Sequence, residues 1–431
     1  MTNRLNIYFL TNIYIYSLIY IYINFSHPKY SYLGWQVNEN INFLIVLLVA
    51  SITSSIVFFI KKRIEGPLEL LVLVSYLIIY LPSMNLAYIC MENNNNVGAL
   101  FFSYTVSIFI LIYISHLDNR VIKLKSLSED GFKKIFYSLV LLMFLVVFIS
   151  YKPSLSNFSK LIDFSDVYEI RGEYREANEK LSVFISYFFT WLIKVFIPAV
   201  FVIGLLEKSY KKVAISLLMI FSMFLISGHK SIVLGFGLVL IMHLAFKRKK
   251  NDTLLIMSYL IYIVVFSLIL AFLNYTLLQE IVVRRAMVMP GMLSNMYFNY
   301  FKTHDFTLMG QSIFSFLFEY KYDKPPPYLI GDFYFNRTEM SANANYMAAA
   351  YGDFGVIGTI CITLFCGLYF KLLNIIANSK KIVVTSCMLS IVPMWALLDS
   401  AFITVLITHG LIWILIIFIL LPKGFLSDKN Y

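Results

Sequence analysis

The chain has 431 residues, 60% of them hydrophobic and 14% charged, with a mean hydropathy of +0.77 and a formal charge of +11. A water-soluble globule cannot hide that much apolar side chain, whereas a bilayer accepts it, so the soluble classes are excluded. The positive charge is concentrated in short connectors, which makes it a signal of membrane sidedness and argues against nucleic-acid binding.

Apolar runs of about 20 residues read as membrane helices at a rise of about 1.5 Å per residue. The sequence predicts about twelve of them: 5–24, 41–60, 68–90, 98–115, 135–150, 181–206, 213–227, 231–246, 253–274, 343–370, 383–398 and 402–421. The first carries Tyr14, Tyr16, Tyr20 and Tyr22 and no small-residue cleavage site, so it is expected to stay as a signal anchor. Basic residues at Lys61-Lys62-Arg63, 120–134, Lys208 to Lys212, Lys247 to Lys250 and Lys380-Lys381 alternate with connectors almost free of Lys and Arg. The positive-inside rule then places these five connectors and both termini in the cytoplasm. The expected fold class is an all-α polytopic membrane protein, one integral domain over 1–431, with external loops at 151–180 and 275–342. The second is the large loop and should contain short helices.

In the first external loop, 166–180 reads as an amphipathic helix on which Arg171 and Arg175 share a face. In the large loop, 279–301 suits a helix lying on the membrane, interrupted at Pro290-Gly291. Lys324-Pro325-Pro326-Pro327-Tyr328 should make a rigid turn. Cys90, Cys361, Cys366 and Cys387 fall in apolar runs without metal-ligand spacing and read as small apolar residues. No nucleotide phosphate loop occurs, which argues against ATP-driven transport by this chain alone.

An enzyme working at an external face has no ATP there, so its substrate must arrive activated, in bacteria generally as a sugar on a polyprenyl pyrophosphate. The leaving diphosphate needs a metal ion or several cationic donors. Metal-dependent membrane glycosyltransferases usually place paired acids in the first outer loop, and here 25–40 holds Glu39 alone. Arginines become the expected clamp, because a guanidinium binds phosphate oxygens through two N–H groups at once. The candidates are Arg171, Arg284 and Arg285, with Lys230 and Lys194 next; they are expected to converge on one pocket. Lys194 lies about 18 Å from the cytoplasmic end of its helix by helical rise. An intramembrane cation is by default a functional hypothesis, set against a lysine that merely snorkels into a polar cavity. In Ser227-Gly228-His229-Lys230-Ser231, His229 suits a general base and Lys230 a phosphate contact; the alternative is a simple polar hairpin. The lone His409 favours packing. Asn345, Tyr351 and Asp353, at the exit of the large loop, suit sugar hydroxyls or an ordinary polar helix cap.

Four segments in order resemble Wzy-type O-antigen and capsule repeat-unit polymerases. They are Glu169-Ile170-Arg171-Gly172-Glu173-Tyr174, the 227–231 turn, Arg285 to Pro290 followed by Tyr297 to Phe301, and Asn345 to Gly355 with Tyr351-Gly352-Asp353 at its centre. The similarity covers roughly 165–360 together with the topology. It implies a cofactor-free, metal-independent, inverting glycosyltransferase in the bacterial inner membrane. That enzyme joins undecaprenyl-pyrophosphate-linked oligosaccharides into polysaccharide among membrane lipids, with a chain-length regulator and a flippase as candidate protein partners. Family arginines map onto Arg171 and Arg285 by motif and onto Arg284 by adjacency; His229 or Asp353 would take the acceptor proton, and Asn345 and Tyr351 would line the sugar cleft. An O-antigen ligase of similar architecture is the nearest alternative. A lipid-linked oligosaccharide flippase would want related halves and charges inside several helices. A membrane acyltransferase would want a His-centred motif.

Overall fold

A computed structural model of the chain describes residues 4–91, 96–152, 167–229, 231–247 and 253–426. It is all-helical, with no strand among these residues. In chain order the first helices are α1 (Arg4–Leu33), α2 (Phe43–Phe58), α3 (Pro67–Leu86), α4 (Val97–His116), α5 (Glu129–Tyr151), α6 (Val167–Lys180), α7 (Val183–Leu206) and α8 (Tyr210–Ser227). Then come α9 (Ser231–Lys247), α10 (Thr253–Phe272), α11 (Gln279–Val288), α12 (Met289–Tyr300) and α13 (Pro326–Phe335). The chain closes with α14 (Tyr346–Lys380), α15 (Val383–Leu398), α16 (Phe402–Ile407) and α17 (Leu411–Leu420).

Eight of these, α1, α3, α4, α5, α7, α8, α10 and α14, are long and apolar enough to cross a membrane. The other apolar runs give the shorter helices α2, α9, α15 and α17. The run at 402–421 is divided: α16 ends at Ile407, and α17 begins after Gly410, whose φ is +85°. The central element is α3, buried along its whole apolar length and packed against α1, α4, α12, α14 and α15. Its first turn is pinned from α14: Asn374 donates to Glu69 Oε2 at 2.9 Å and accepts from the Leu68 N–H at 2.9 Å.

Proline sets the shape of four helices. The π-helical segments Tyr22–Ser26, Ser75–Tyr80, Leu192–Phe196 and Gln279–Val288 each end two residues before a proline, Pro28, Pro82, Pro198 and Pro290 respectively. Proline has no N–H for the carbonyl four residues back. The residue just before it donates five residues back instead: His27 to Tyr22, Leu81 to Tyr76, Ile197 to Leu192 and Met289 to Arg284. The turn widens by one residue, and the helix continues.

Several residues of the basic connectors bond to neighbouring elements. Lys61 meets Glu65 at 2.8 Å and the Ser115 carbonyl at 3.2 Å, Lys133 meets Glu207 at 3.4 Å, and the Thr253 N–H donates to the Lys62 carbonyl at 2.9 Å. In the large loop the structure differs from a surface helix broken at Pro290. Helix α12 follows α11 directly, because Pro290 falls in its first turn, where no N–H is required. Nearly all of α12 is buried, against α3 and α14. In the proline run, Pro326 opens α13.

Candidate functional site

The amphipathic helix of the first external loop is α6, which packs against α8. Three contacts seat it. Asn178 Oδ1 accepts from Tyr151 on α5 and Ser186 on α7, both at 2.6 Å. The Tyr174 ring lies 5.1 Å from Phe189 and 5.4 Å from Tyr151. Ile170 is fully buried. With α6 so held, Arg171 Nη2 donates to the Gly228 carbonyl at 3.4 Å, and the Tyr174 ring meets the His229 ring edge-on at 5.9 Å. Gly228 caps α8 in the left-handed region and turns His229 toward them. Lys230 lies outside the described residues.

Lys194 sits in the widened turn of α7. Pro198 is the residue whose absent N–H would have served the Lys194 carbonyl. The side chain lies within electrostatic reach of His229, His409 and Asp399. The break between α16 and α17 packs on this turn: a Cβ at Gly410 would stand 2.8 Å from Val195 Cγ2, and Trp191 Nε1 donates to the Ile407 carbonyl at 2.8 Å. Ser400 Oγ lies 3.2 Å from His409 Nε2, and it donates to Asp399 Oδ1 at 3.5 Å. His409 Nδ1 and Trp413 Nε1 are buried without a hydrogen-bond partner among the described residues.

Burial first, then the positive charges of Arg171 and Lys194, push the His229 imidazole down to about 4, so it is neutral at pH 7 and a weaker base than a free imidazole. Surrounding protein pushes the Asp399 carboxyl up, against the opposing pull of Lys194 and the Ser400 hydroxyl. Asp399 nonetheless keeps an exposed side chain. Lys194 thus lies within electrostatic reach of Asp399 and of His229, which Arg171 also approaches.

The same connector leads to Asp353. A cavity of about 30 Å³ is lined by Asp353, Tyr346 and Ala350 of α14, by Met309 of the large loop, and by 401–404. Asp353 Oδ1 accepts from Thr307 Oγ1 at 2.5 Å and from the Met309 N–H at 3.2 Å. Helix α14 breaks directly after it, with Gly355 at φ +63°, ψ −149°.

Asn345 and Tyr351 are placed differently from a sugar-lining pair. Asn345 has no exposed surface: its Oδ1 caps α14 by accepting from the Met347 and Ala348 N–H groups at 3.1 and 3.2 Å, and its Nδ2 donates to Ser294 at 2.7 Å. Tyr351 is 4% exposed, stacked on Phe298 at 3.6 Å, and its hydroxyl accepts from Asn96 at 2.5 Å. Both amide and phenol are committed to packing.

Arg284 and Arg285 lie on α11, which packs against α1, α3, α10 and α12. The Arg284 guanidinium covers the Tyr30 ring at 4.4 Å, and its Nε is buried without a hydrogen-bond partner. Glu280, one turn earlier, pairs with Lys29; burial alone would raise its carboxyl, but the Lys29 hydrogen bond and charge hold it below its ordinary value. Arg285 is exposed. The contacts seat Arg171 on the turn that ends α8 and Arg284 over Tyr30 of α1.

Asp399 and Ser400 were not among the residues singled out from the sequence. Their signal was present: a carboxylate in a three-residue connector between two apolar runs. Comparison with protein-family models, curated proteins and solved structures finds no match.

Proposed function

We propose that this chain is a Wzy-type repeat-unit polymerase, a cofactor-free, metal-independent, inverting glycosyltransferase. It is placed in a bacterial inner membrane, with twelve crossings, both termini in the cytoplasm and the Arg171–His229 cluster at the outer face. The observation that carries this reading is Arg171 bonded to the turn that holds a neutral His229, with Lys194 of α7 within electrostatic reach of that ring. Two cations beside an imidazole free of its proton suit a reaction that expels a diphosphate and deprotonates a hydroxyl.

In the step proposed, the terminal hydroxyl oxygen of the new repeat unit attacks the anomeric carbon of the growing chain. The bond from that carbon to the pyrophosphate oxygen breaks, and undecaprenyl pyrophosphate leaves with the electron pair against Arg171 and Lys194. The hydroxyl proton passes to His229. Asp399 holds Lys194 in place. Asp353, hydrogen-bonded beyond the 401–404 connector, is the other candidate acceptor of that proton. Both substrates carry a lipid diphosphate, so a polymerase needs two anion sites, and Arg284 with Arg285 supply the second.

The test is the surface-glycan profile of cells carrying Arg171→Ala or Lys194→Ala. Long-chain polysaccharide should vanish, single repeat units should remain displayed on lipid A-core, and the protein should still insert. Normal chain lengths in both variants would overturn the reading. Loss of even the single units would point to a ligase.

A further inference from the structure

A further cavity is lined by none of the candidate cations. It is a groove of about 440 Å³ in the segment after the first apolar run, lined by Ile23, His27, Trp35, Gln36, Val37 and Glu39. We infer that this groove binds an uncharged saccharide, and that it holds the sugars of the acceptor repeat unit. The first half of that inference stands alone; the word "acceptor" rests on the polymerase reading.

Four observations support it. The volume falls within the roughly 300–1,000 Å³ of small-ligand sites. The lining is amphipathic in the way a sugar is: apolar Ile23, Trp35 and Val37 stand beside an amide, an imidazole and a carboxylate, which together donate to and accept from hydroxyl groups. Glu39 disfavours an anionic occupant. The walls are also built before any ligand arrives. The Trp35 ring, 4% exposed, stacks on Tyr22 at 5.8 Å and lies 5.4 Å from Tyr30. The Asn38 N–H donates to the Ile89 carbonyl at 2.9 Å and its Nδ2 to the Tyr88 carbonyl at 3.2 Å. Gly34 admits the Tyr334 carbonyl of α13, which a Cβ there would meet at 2.5 Å.

Position supplies the acceptor assignment. Tyr30, which flanks Trp35, is the ring under Arg284. A lipid-linked repeat unit with its diphosphate on Arg284 and Arg285 would lay its first sugars in this groove.

The experiment uses the full chain in detergent and, as probe, the lipid-free oligosaccharide released from the host cell's own surface polysaccharide. Saturation-transfer NMR should show transfer to sugar protons. Gln36→Ala/Glu39→Ala should weaken binding at least tenfold, Val37→Trp, which fills the groove, should do the same, and Lys208→Ala, in a connector assigned no part in the reaction, should leave it unchanged. Undiminished binding in the two groove variants, or no transfer to the sugar at all, would overturn the groove assignment even if Arg171→Ala abolishes polymer. Groove-dependent binding together with normal polymer in Arg171→Ala would instead sink the polymerase reading and leave a saccharide site.

Discussion

At the scale of single residues, the contrast between His229 and Asn345 separates chemistry from architecture. Both are polar side chains in apolar surroundings. His229 keeps part of its surface open and sits against two cations, which, after burial, hold its proton affinity at about 4 rather than 6.5. The folded value lies below the unfolded one, so the protein favours the neutral ring. That contribution to stability is whole above pH 6.5 and drains away as pH falls toward 4. Polymerisation in membrane vesicles should accordingly hold constant from pH 8 to about pH 5, with its acid limb near 4; a limb near 6.5 would show His229 in ordinary water. Asn345, by contrast, has every visible bond turned inward. Asn345→Ala removes an N-cap and should cost about 1–2 kcal/mol, read as a lower unfolding midpoint in detergent, with saccharide binding preserved. Neither outcome could be read from sequence, because Asn-x-x at a helix start and His in a Ser-Gly-His turn look equally polar on paper. Burial and neighbours decide between them, and both are tertiary.

At the scale of elements, helix existence was legible and helix interruption was not. The apolar runs announced the helices, and the pattern 166–180 announced α6 almost to the residue. Proline misled: Pro290 looked like a break, yet it ends a π-helical segment that runs straight on into α12. The same device puts Lys194 in a widened turn before Pro198, and such turns recur at functional sites. Pro198→Ala restores a donor to the Lys194 carbonyl and lets the turn close into ordinary α geometry, which swings the residues before it around the axis. The expected result is loss of long-chain polysaccharide from a protein that still folds and inserts, checked by glycan profile and by size-exclusion of the solubilised chain. Gly355 makes the opposite kind of interruption. Its φ and ψ lie where glycine alone is comfortable, and a Cβ would stand 2.9 Å from the Phe306 ring. Gly355→Ala should destabilise by roughly 1–3 kcal/mol and disturb the Asp353–Thr307 bond, again visible in the unfolding midpoint.

At the scale of the whole molecule, sidedness is the property that joins the charge pattern to the chemistry. Alternating basic connectors lead the sequence to expect which loops share a side, and a few of these connectors bond to neighbouring elements: Lys61 with Ser115, Thr253 with Lys62, and Lys133 with Glu207. The candidate groups are linked by other contacts: α6 bonds the 227–229 turn through Arg171, and Lys194 is within electrostatic reach of both His229 and Asp399. What sequence could not supply was the seating of each arginine, Arg171 on the α8 turn and Arg284 over Tyr30, because no periodicity specifies packing partners. If the polymerase reading holds, the Arg171–His229 site and the groove must both open outside the cell. Single cysteines answer this, in a background where the exposed Cys361 is changed to serine and the buried thiols are left alone. In intact cells a membrane-impermeant maleimide should label Asn38→Cys and Ser312→Cys, and it should reach Lys125→Cys and Lys208→Cys only after the membrane is opened. The reverse pattern would put both sites on the side where ATP and nucleotide sugars reside, and a lipid-diphosphate donor would lose its rationale.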